Sequence, residues 1–529
     1  MTTAQGTAPT SDVDVSVGTE RWVLLATILA SSMAFIDGSA LNVALPTIQR
    51  ELNVTGTQLF WIVNAYALFL ASLILVGGSL GDHYGRKRVF MIGIGVFSLS
   101  SLACGLSPNI DVLIAARAVQ GIGGALMVPG SLAILSASVS GARRGVAIGT
   151  WSTFSSITTL LGPVLGGWLS GLGFWRGVFF VNLPLALIAL IVLILKVPES
   201  RDTEMSKSLD IPGVLLATLG LASITYGFIE GPNFGLTDPR ILITLIGGAA
   251  ALIIFVIVES RTKHPMVLLS LFRSHTFSGT NALTLLLYAA LGAVPFFLLL
   301  NLVQVQGYPE QVAGFTFLPL GLIIATMSRF SGGLVDRIGP RLMLTVGPAI
   351  AGVGFLLFAI PGLTNGPSDY WITYFPAIVT LAFGMGLTVA PLTTAVMNSA
   401  PSHSSGTASG INNAVARTAG VLAIAIVGAI ALFSFNSALT ARTDSLNLPE
   451  NARAQLRADS SKLADTKPPA DLSADLTANV QNAIKLAYID TFRLVALIGA
   501  GLAWTSALLA ALLVEGRPVA KVAAVALEV

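Results

Sequence analysis

The sequence predicts an all-α integral membrane protein of about fourteen spans, arranged as two six-helix halves with two helices inserted between them. Its composition is the first reason: 54% of the 529 residues are hydrophobic and only 10% are charged, whereas soluble domains carry roughly 25% charged residues. Mean hydropathy is correspondingly high, at +0.81. The other two reasons are a succession of long apolar runs and a glycine-rich loop that occurs twice.

The apolar runs reach the length of about 20 residues that a helix needs to cross a bilayer. They lie near residues 22–45, 58–79, 89–106, 110–136, 146–170, 177–196, 211–229, 240–258, 277–301, 312–333, 342–361, 372–397, 407–434 and 491–514. An even number of spans places both termini on the same side of the membrane.

The distribution of Lys and Arg predicts the orientation. The basic stretches 86–88 and 143–144 lie in loops on the same side as the N-terminus, and the short loops on the other side hold few basic residues. The positive-inside rule then places both termini in the cytoplasm. We expect a multi-pass protein of a bacterial-type plasma (inner) membrane.

The repeated loop locates the two halves. Its copies are Gly78-Ser-Leu-Gly-Asp82-His-Tyr-Gly85-Arg86-Lys87 and Gly332-Gly-Leu-Val-Asp336-Arg-Ile-Gly339-Pro-Arg341. Asp82 follows Trp22 by 60 residues, and the same distance before Asp336 lies Thr276, where the ninth span begins. The predicted organisation is a cytoplasmic tail at 1–21, a first half at 22–196, an inserted two-helix segment with linkers at 197–276, a second half at 277–514 and a cytoplasmic tail at 515–529.

One outer segment, 435–490, is much longer than the others and is rich in Ala, Asp and Ser. A short helix is predicted within it, at 451–463. Polar segments of this kind are usually solvated connectors, and we favour that interpretation. A lid over the outer opening is the alternative.

The repeated loop has a direct physical interpretation. A small residue at 78 lets a neighbouring helix approach, Asp82 can accept hydrogen bonds from helix amides or from an arginine, and Gly85 permits a left-handed turn. The basic residues that follow can bind anionic lipid. We interpret the two copies as a gating latch at the inner surface, formed by Gly78, Asp82, Gly85, Arg86, Lys87, Asp336 and Arg341.

The first loop resembles the signature between the second and third helices of the major facilitator superfamily. Further stretches are similar to motifs of its fourteen-helix drug:proton antiporter branch, which includes multidrug and quaternary-ammonium efflux pumps. These stretches are 37–46, 113–124, 158–167 and 175–184. Two positions depart from the pattern, because Ser39 stands where threonine is usual and Thr158 where glycine or alanine is usual.

The resemblance implies a major facilitator fold and a secondary active exporter that works by alternating access. Protons would be exchanged for amphipathic or cationic organic compounds, including drugs, with no cofactor because the proton-motive force drives transport. The implied partners are the small organic substrate, protons and membrane lipid, without nucleic acid. We expect a monomer, and the sequence leaves open whether accessory efflux components bind to it.

Two ionisable residues lie deep within predicted spans. A charge is costly there, so such a residue is taken as a candidate for a functional site. Asp37 lies ~13 Å from the outer end of the first span, and Arg117 lies ~12 Å from the outer end of the fourth. Because the depths match, we expect both to face one central cavity. Asp37 would carry the exchangeable proton, and the charge of Arg117 would tune the pKa of Asp37. The alternatives are a helix cap for Asp37 and a purely structural ion pair for Arg117.

Other polar and aromatic residues are candidates for the substrate cavity: Phe35, Asn42, Trp61, Tyr66, Gln120, Asn412, Asn413 and Arg417. For the aromatic residues the alternative is packing or lipid contact, and for Arg417 it is snorkelling to the interface. The motif Gly162, Pro163, Gly166 and Gly167 should bend and thin the fifth helix so that another helix packs closely against it. In the family that it resembles, this contact seals a leak.

Several functional classes are excluded or weakened. Net charge of +3 is too small for a nucleic-acid binder, and no phosphate-binding Gly-x-x-x-x-Gly-Lys-Ser/Thr motif points to ATP. The single cysteine, Cys104, excludes an internal disulfide and a cysteine-based metal site. A dedicated exporter of one metabolite, lipid or siderophore remains the alternative within transport. A membrane-embedded enzyme or a receptor fits the duplicated halves less well.

Overall fold

The computed structural model describes residues 17–139, 141–200, 210–262, 265–401 and 404–516. Across these ranges the secondary structure is helical, with no β-strand. Thirteen helical segments among them are long and apolar enough to cross a membrane. A further helix of 31 residues matches the predicted fifth span, and its many Ser, Thr and Gly residues lower its hydropathy. The prediction of an all-α membrane protein with about fourteen spans is confirmed.

The first half contains α1 (Val17–Leu52), α2 (Gly56–Tyr84), α3 (Arg86–Gly105), α4 (Ile110–Ser138), α5 (Gly141–Gly171), α6 (Gly177–Phe180) and α7 (Asn182–Lys196). The short α6 and α7 follow each other within one span. We call the face of the bundle at which α1 begins the proximal face, and the opposite one the distal face.

The inserted pair is α8 (Ile211–Phe234) and α9 (Pro239–Arg261). The second half contains α10 (His275–Leu300), α11 (Glu310–Phe315), α12 (Leu318–Ile338), α13 (Pro340–Phe358), α14 (Tyr370–Asn398), α15 (Ser405–Thr443), α16 (Glu450–Asp459) and α17 (Ala474–Leu513). A π-helical turn at Asn301–Val305 extends α10, and α11 and α12 share one span.

Local sequence signals determine where several helices begin and end. Thr55 and Gln58 form a reciprocal capping box at the start of α2, which satisfies two otherwise unpaired amides. Gly85 separates α2 from α3 with φ of 108°, and Gly339 separates α12 from α13 with φ of 82°. Positive φ favours glycine, so the two loop copies share the turn that the sequence predicts at residue 85.

The inserted helix α8 packs against both halves. Leu221 of α8 lies in one buried cluster with Leu68 and Ala71 of α2 and Val421 of α15. The second inserted helix, α9, packs on α8 and buries little of its own surface. Helix α8 therefore covers the seam between α2 and α15 on the membrane side.

The two halves are closed against each other at the distal face. Arg50, near the end of α1, forms an ion pair with Glu310 of α11. Thr47 donates to the same carboxylate at 3.3 Å. Beside this pair, Gln304 donates to Gln49 at 2.9 Å. These bonds join α1 of the first half to the start of the second.

Toward the proximal face, α5 and α12 separate. They meet where Leu160 packs on Gly321, closer to the distal face. Beyond that contact both helices are exposed around most of their circumference, including polar residues of α5 such as Ser156 and Thr159, whereas lipid contact alone would expose one apolar face. The proximal parts of α5 and α12 therefore border an opening between the halves, which we call the proximal cleft.

The segment between α15 and α17 forms an ordered cap on the distal face. Leu448, Leu456 and Leu463 are buried, and Gln49 of α1 donates to the backbone carbonyl of Lys462 at 2.9 Å. The cap thus belongs to the second half by sequence and rests on the first. The interpretation as a solvated connector is wrong, whereas the short helix expected there is present as α16.

The two helices that carry the cap extend further than their apolar runs. α15 continues to Thr443 and α17 already begins at Ala474, so the connection is shorter than 435–490. An ion pair between Arg442 and Asp490, with 2.5 Å between nitrogen and oxygen, joins the two extensions. Hydropathy does not predict these extensions of α15 and α17, because their turns are polar and stabilise each other.

Candidate functional site

The centre of the first half holds a buried ion pair. Nη1 of Arg117 on α4 donates to Oδ2 of Asp37 on α1 at 2.5 Å. The Asp37 side chain is 0% exposed and that of Arg117 is 1% exposed. The matching depths estimated from sequence therefore correspond to a direct contact.

Amide and hydroxyl groups complete the hydrogen bonds of the pair. Nε2 of Gln120 donates to Asp37 Oδ1 at 2.9 Å, and its Oε1 accepts from Arg117 Nη1 at 2.7 Å. Nδ2 of Asn182 donates to Asp37 Oδ1 at 3.5 Å and to Ser101 Oγ at 2.8 Å. The carboxylate is thus held from α4 and α7, with α3 behind them.

Arg117 has further partners that offset the cost of its burial. Its guanidinium lies 4.4 Å from the ring centroid of Tyr66, a cation–π contact. Its Nε donates to the carbonyl of Ile62 at 3.2 Å. A buried ion pair is tolerated only when its hydrogen bonds are satisfied, and losing one partner costs about 3–5 kcal/mol.

The expectation that Asp37 and Arg117 face an open cavity is wrong for this conformation. Both lie between helices of the first half, and the cavity candidates Gln120 and Tyr66 are buried with them, at 0% and 6% exposure. These two residues support the ion pair and do not line a cavity wall. Depth along a span could be estimated from sequence, but the direction of each side chain depends on how the helices pack.

Two members of the network carry no assigned role in the sequence analysis. Asn182 lies within the stretch 175–184 that resembles a family motif, and its position at the start of a span could have indicated a polar function. Ser101 is one serine among several in an apolar run, and nothing in the sequence distinguishes it.

One face of α1 borders open space beside the ion pair. Phe35 and Asn42 are partly exposed and Gly38 is exposed, and a Cβ atom at residue 38 would meet no other atom within 4 Å. Their spacing of three and four residues places them on one helix face. Phe35 and Asn42 therefore stay candidates for substrate contact.

Trp61, another cavity candidate, holds the inserted pair in place. Its Nε1 donates to Oε1 of Glu230 on α8 at 2.8 Å, and Glu230 Oε2 accepts from Asn233 at 2.9 Å. The indole thereby joins α2 to α8 near the distal face. Its hydrogen bond explains its position without a substrate.

The remaining candidates lie on α15. Asn412 donates to Thr284 Oγ1 at 2.7 Å and to Asn281 Oδ1 at 3.2 Å, both on α10. Asn413 is exposed. Arg417 is partly exposed, and its buried Nε has no hydrogen-bond partner among the described residues.

The glycine motif of α5 places this helix directly against the helix that carries Asp37. A methyl group at Gly162 would overlap the side chain of Ser39, and one at Gly166 would overlap the backbone of Ala40. The predicted close helix contact is present, and its partner is α1.

The same motif contacts the second half on its other side. A methyl group at Gly167 would overlap the carbonyl of Glu310, and the carbonyl of Pro163 lies against Gly314 of α11. Helix α5 therefore contacts both the helix that carries Asp37 and Glu310 of the ion pair that closes the distal face.

The loop predicted as a gating latch has an internal ion pair and an unexpected partner. Arg86 Nε donates to Asp82 Oδ1 at 2.7 Å. The backbone amides of Lys87 and Arg88 donate to the carboxylate of Glu199 at 2.9 and 3.1 Å. Glu199 follows α7, so the N-terminus of α3 is held by a carboxylate from the end of the same half.

Three details of the latch differ from expectation or lie outside the description. Close helix approach occurs at Gly77, where a methyl group would overlap the backbone of Ala125, and not at Gly78, which has an ordinary contact with Pro129 at 3.7 Å. The side chain of Asp336 lies outside the described part of the structure. Arg341 is exposed.

Comparison with known proteins gives a consistent result. The family model described as Major Facilitator Superfamily matches residues 27–446. The chain is 34% identical over 413 residues to the multidrug resistance protein Stp of Mycobacterium tuberculosis, covering 78% of this chain and 76% of Stp. It is 32% identical over 421 residues to a puromycin resistance protein of Streptomyces alboniger, covering 78% and 82% of the two chains.

A solved structure shares the fold at lower identity. It is a bacterial homologue of the human lysosomal transporter Spinster, crystallised in an inward-facing and unoccupied conformation. The TM-score is 0.61 at 17% identity, over 93% of this chain and 98% of the other.

Proposed function

The chain belongs to the Major Facilitator Superfamily, and we propose that it exports drugs and other amphipathic or cationic organic compounds in exchange for protons. It is a multi-pass membrane transporter of small molecules and not an enzyme. Its relatives are named for resistance to several drugs, including puromycin. Export of drug-like compounds is the function that this relationship and the geometry jointly support.

We propose that the proximal face is cytoplasmic and that the protein acts as a monomer in a bacterial-type plasma membrane, surrounded by lipid. The basic residues that begin at Arg86 in the first turn of α3 and at Arg143 in the first turn of α5 lie at this face, in agreement with the positive-inside rule. The proximal cleft would then open to the cytoplasm, and the Arg50–Glu310 contact would close the external side.

The observation that carries the proton assignment is the buried Asp37–Arg117 pair. Other carboxylates of the described spans lie near one face, as do Asp82 and Glu230, whereas Asp37 lies at mid-depth. Protonation of Asp37 would remove the negative charge that compensates Arg117 in a site without exposed surface. The protein would respond by rearranging this part of the first half, which is what a proton-driven conformational change requires.

The proposed cycle uses the contacts around α5. Substrate enters the proximal cleft while Asp37 is paired with Arg117, as in the conformation described here. After the halves open distally, an external proton neutralises Asp37 and the substrate leaves. Because α5 touches α1 next to Asp37 and also touches α11, it can transmit the change to the distal contact.

The driving force is the proton-motive force, without a resident cofactor. Each elementary charge that crosses the membrane inward contributes about 2.3 kcal/mol per 100 mV. One proton is therefore equivalent to roughly a 50-fold concentration gradient at 100 mV.

Everted membrane vesicles energised by respiration test this function. Addition of a transported drug should dissipate the pH gradient, and Asp37→Asn should abolish that response. Asp111→Asn, at the exposed distal start of α4, is the matched control and should respond like the wild type. Normal exchange in Asp37→Asn would contradict the proton assignment, and absence of a drug response in the wild type would contradict the exporter.

A further inference from the structure

Arg417 is a mid-membrane cation that no carboxylate in the described part of the chain neutralises. Its guanidinium forms no ion pair with any described carboxylate, and its buried Nε has no hydrogen-bond partner. Charged side chains inside a membrane are costly; they normally pair with each other or with backbone carbonyls, and they mark substrate or ion pathways. Among the described carboxylates the one at mid-depth is Asp37, and it already pairs with Arg117.

The position of Arg417 on α15 places it at the seam between the two halves. Gly410, Val421 and Gly428 contact Leu75, the Leu68 cluster and Phe60 of α2, respectively. Residues 410, 417, 421 and 428 follow the seven- and four-residue spacing of a single helix face. Arg417 therefore points toward α2 between two of these contacts.

The side chain is too deep in the membrane for snorkelling, which is restricted to residues near helix ends. Arg417 lies twelve residues from Ser405, or ~18 Å from the proximal start of α15. On the membrane side, Leu221 of α8 packs on Val421 and covers the seam. Arg417 also interacts electrostatically with Tyr66 of α2, which places its side chain in the interior between the halves.

Neighbouring groups make this part of the interior polar and positive. Asn413, exposed, precedes Arg417 by one helical turn, and Asn412 lies beside it. An unpaired arginine beside these amides, without a free mid-depth carboxylate among the described residues, attracts anions.

We propose that Arg417 is the subsite for an anionic group of the substrate, a carboxylate or an ionised phenol or enol, with Asn413 as a second contact. This assignment rests on the proposed export function and narrows its substrates to amphipathic compounds that carry such a group. Arginine suits this role because its planar guanidinium binds a carboxylate through two parallel hydrogen bonds. Cationic compounds without an acidic group would gain nothing from this subsite.

Two xanthene dyes that differ in one group provide the test. Rhodamine 110 has a free carboxylate, and rhodamine 123 is its methyl ester. Purified full-length protein in proteoliposomes should transport rhodamine 110 in preference to the ester. In Arg417→Gln, transport of rhodamine 110 should fall about tenfold or more, whereas transport of the ester should change less than about twofold. Arg417→Lys keeps the charge but loses the planar guanidinium, so its transport of rhodamine 110 should be intermediate between the wild type and Arg417→Gln.

Thermal unfolding separates a ligand site from a structural arginine. Because the guanidinium pairs with no described carboxylate, Arg417→Gln should not lower the melting temperature of the unliganded protein, but it should abolish the rise caused by rhodamine 110. A lower melting temperature without ligand, or equal loss of transport of both dyes, would overturn the subsite.

The outcomes also distinguish this inference from the export function. Wild-type exchange of protons for the ester but not for rhodamine 110 would contradict the subsite and retain the exporter. Export of neither dye, with no proton exchange, would contradict both.

Discussion

Gly166 of α5 packs against the backbone of Ala40 on α1, three residues after Asp37, and leaves no room for a methyl group. The next residue, Gly167, packs in the same way on the carbonyl of Glu310, which belongs to the distal ion pair. One turn of α5 thus touches both the helix of the proton site and the contact that closes the protein. A movement of α1 near Asp37 must therefore be accommodated at the distal contact of Glu310, and the reverse holds as well.

The first prediction concerns this junction. Gly166→Ala should destabilise the distally closed protein by about 1–3 kcal/mol, the usual cost of overpacking, because α1 and α5 must separate. Thermal unfolding measures the loss, and cysteine labelling at the distal face should show increased opening.

Gly149→Ala, on the same helix, is the matched control. Nothing lies within 4 Å of a Cβ atom at that position, and alanine is favoured over glycine within a helix by about 1 kcal/mol. The control should be neutral or stabilising. If both variants behave alike, close packing at Gly166 has no special role.

The second prediction concerns the energetics of the buried ion pair. Asp37→Asn and Arg117→Gln should each destabilise the protein by about 3–5 kcal/mol, because each removes one charge of the pair and leaves the other buried without its counter-charge. The double variant Asp37→Asn/Arg117→Gln should be more stable than the sum of the two losses predicts. Chemical denaturation in detergent gives these values, and strict additivity would show that the two side chains do not interact.

Much of this architecture is predictable because it follows from hydropathy and repetition. The repeated loop around Asp82 and Asp336 is visible in the sequence, and depth along a span indicates that Asp37 and Arg117 lie at the same level of the membrane, where the structure pairs them. Helix rotation was not predictable: Gln120 and Tyr66 appeared to be cavity residues and are buried, and Trp61 bonds Glu230. The sequence predicts the short helix of the cap but favours a solvated connector, since the cap's stability depends on tertiary contacts of Leu456 and Leu463 that no local pattern reveals.

The third prediction concerns the distal contact between Arg50 and Glu310. Glu310→Gln should change global stability by less than about 1 kcal/mol, because Arg50 is 50% exposed and exposed ion pairs contribute little. It should nevertheless increase distal opening, since the lost contact exists only in the closed state. Distances between distal spin labels on α1 and α11 report the populations.

Charge reversal offers a control for this pair. Arg50→Glu alone should open the distal face, and Arg50→Glu/Glu310→Arg should restore closure. Failure of the double variant to close would indicate that the neighbouring Gln49–Gln304 bond and the cap are sufficient without the ion pair.

The fourth prediction assigns a mechanical role to Glu199. Its carboxylate accepts from the amides of Lys87 and Arg88, so Glu199→Gln should cost about 1 kcal/mol by weakening the negative cap of α3. Because Glu199 lies outside the mid-membrane site, drug affinity should be preserved while turnover falls. Asp82→Asn, which removes the adjacent ion pair with Arg86, should have the same signature.

Glu20→Gln is a suitable control for the latch, since Glu20 pairs with an exposed arginine at the same face, Arg143, which is 56% exposed. It should leave turnover and binding unchanged. Equilibrium binding and initial transport rates measured on the same proteoliposomes separate the two effects. Equal losses of binding and turnover in Glu199→Gln would mean that the loop around Asp82 shapes the substrate site. A loss of turnover alone is expected only if this loop limits the change between the inward-facing and outward-facing conformations.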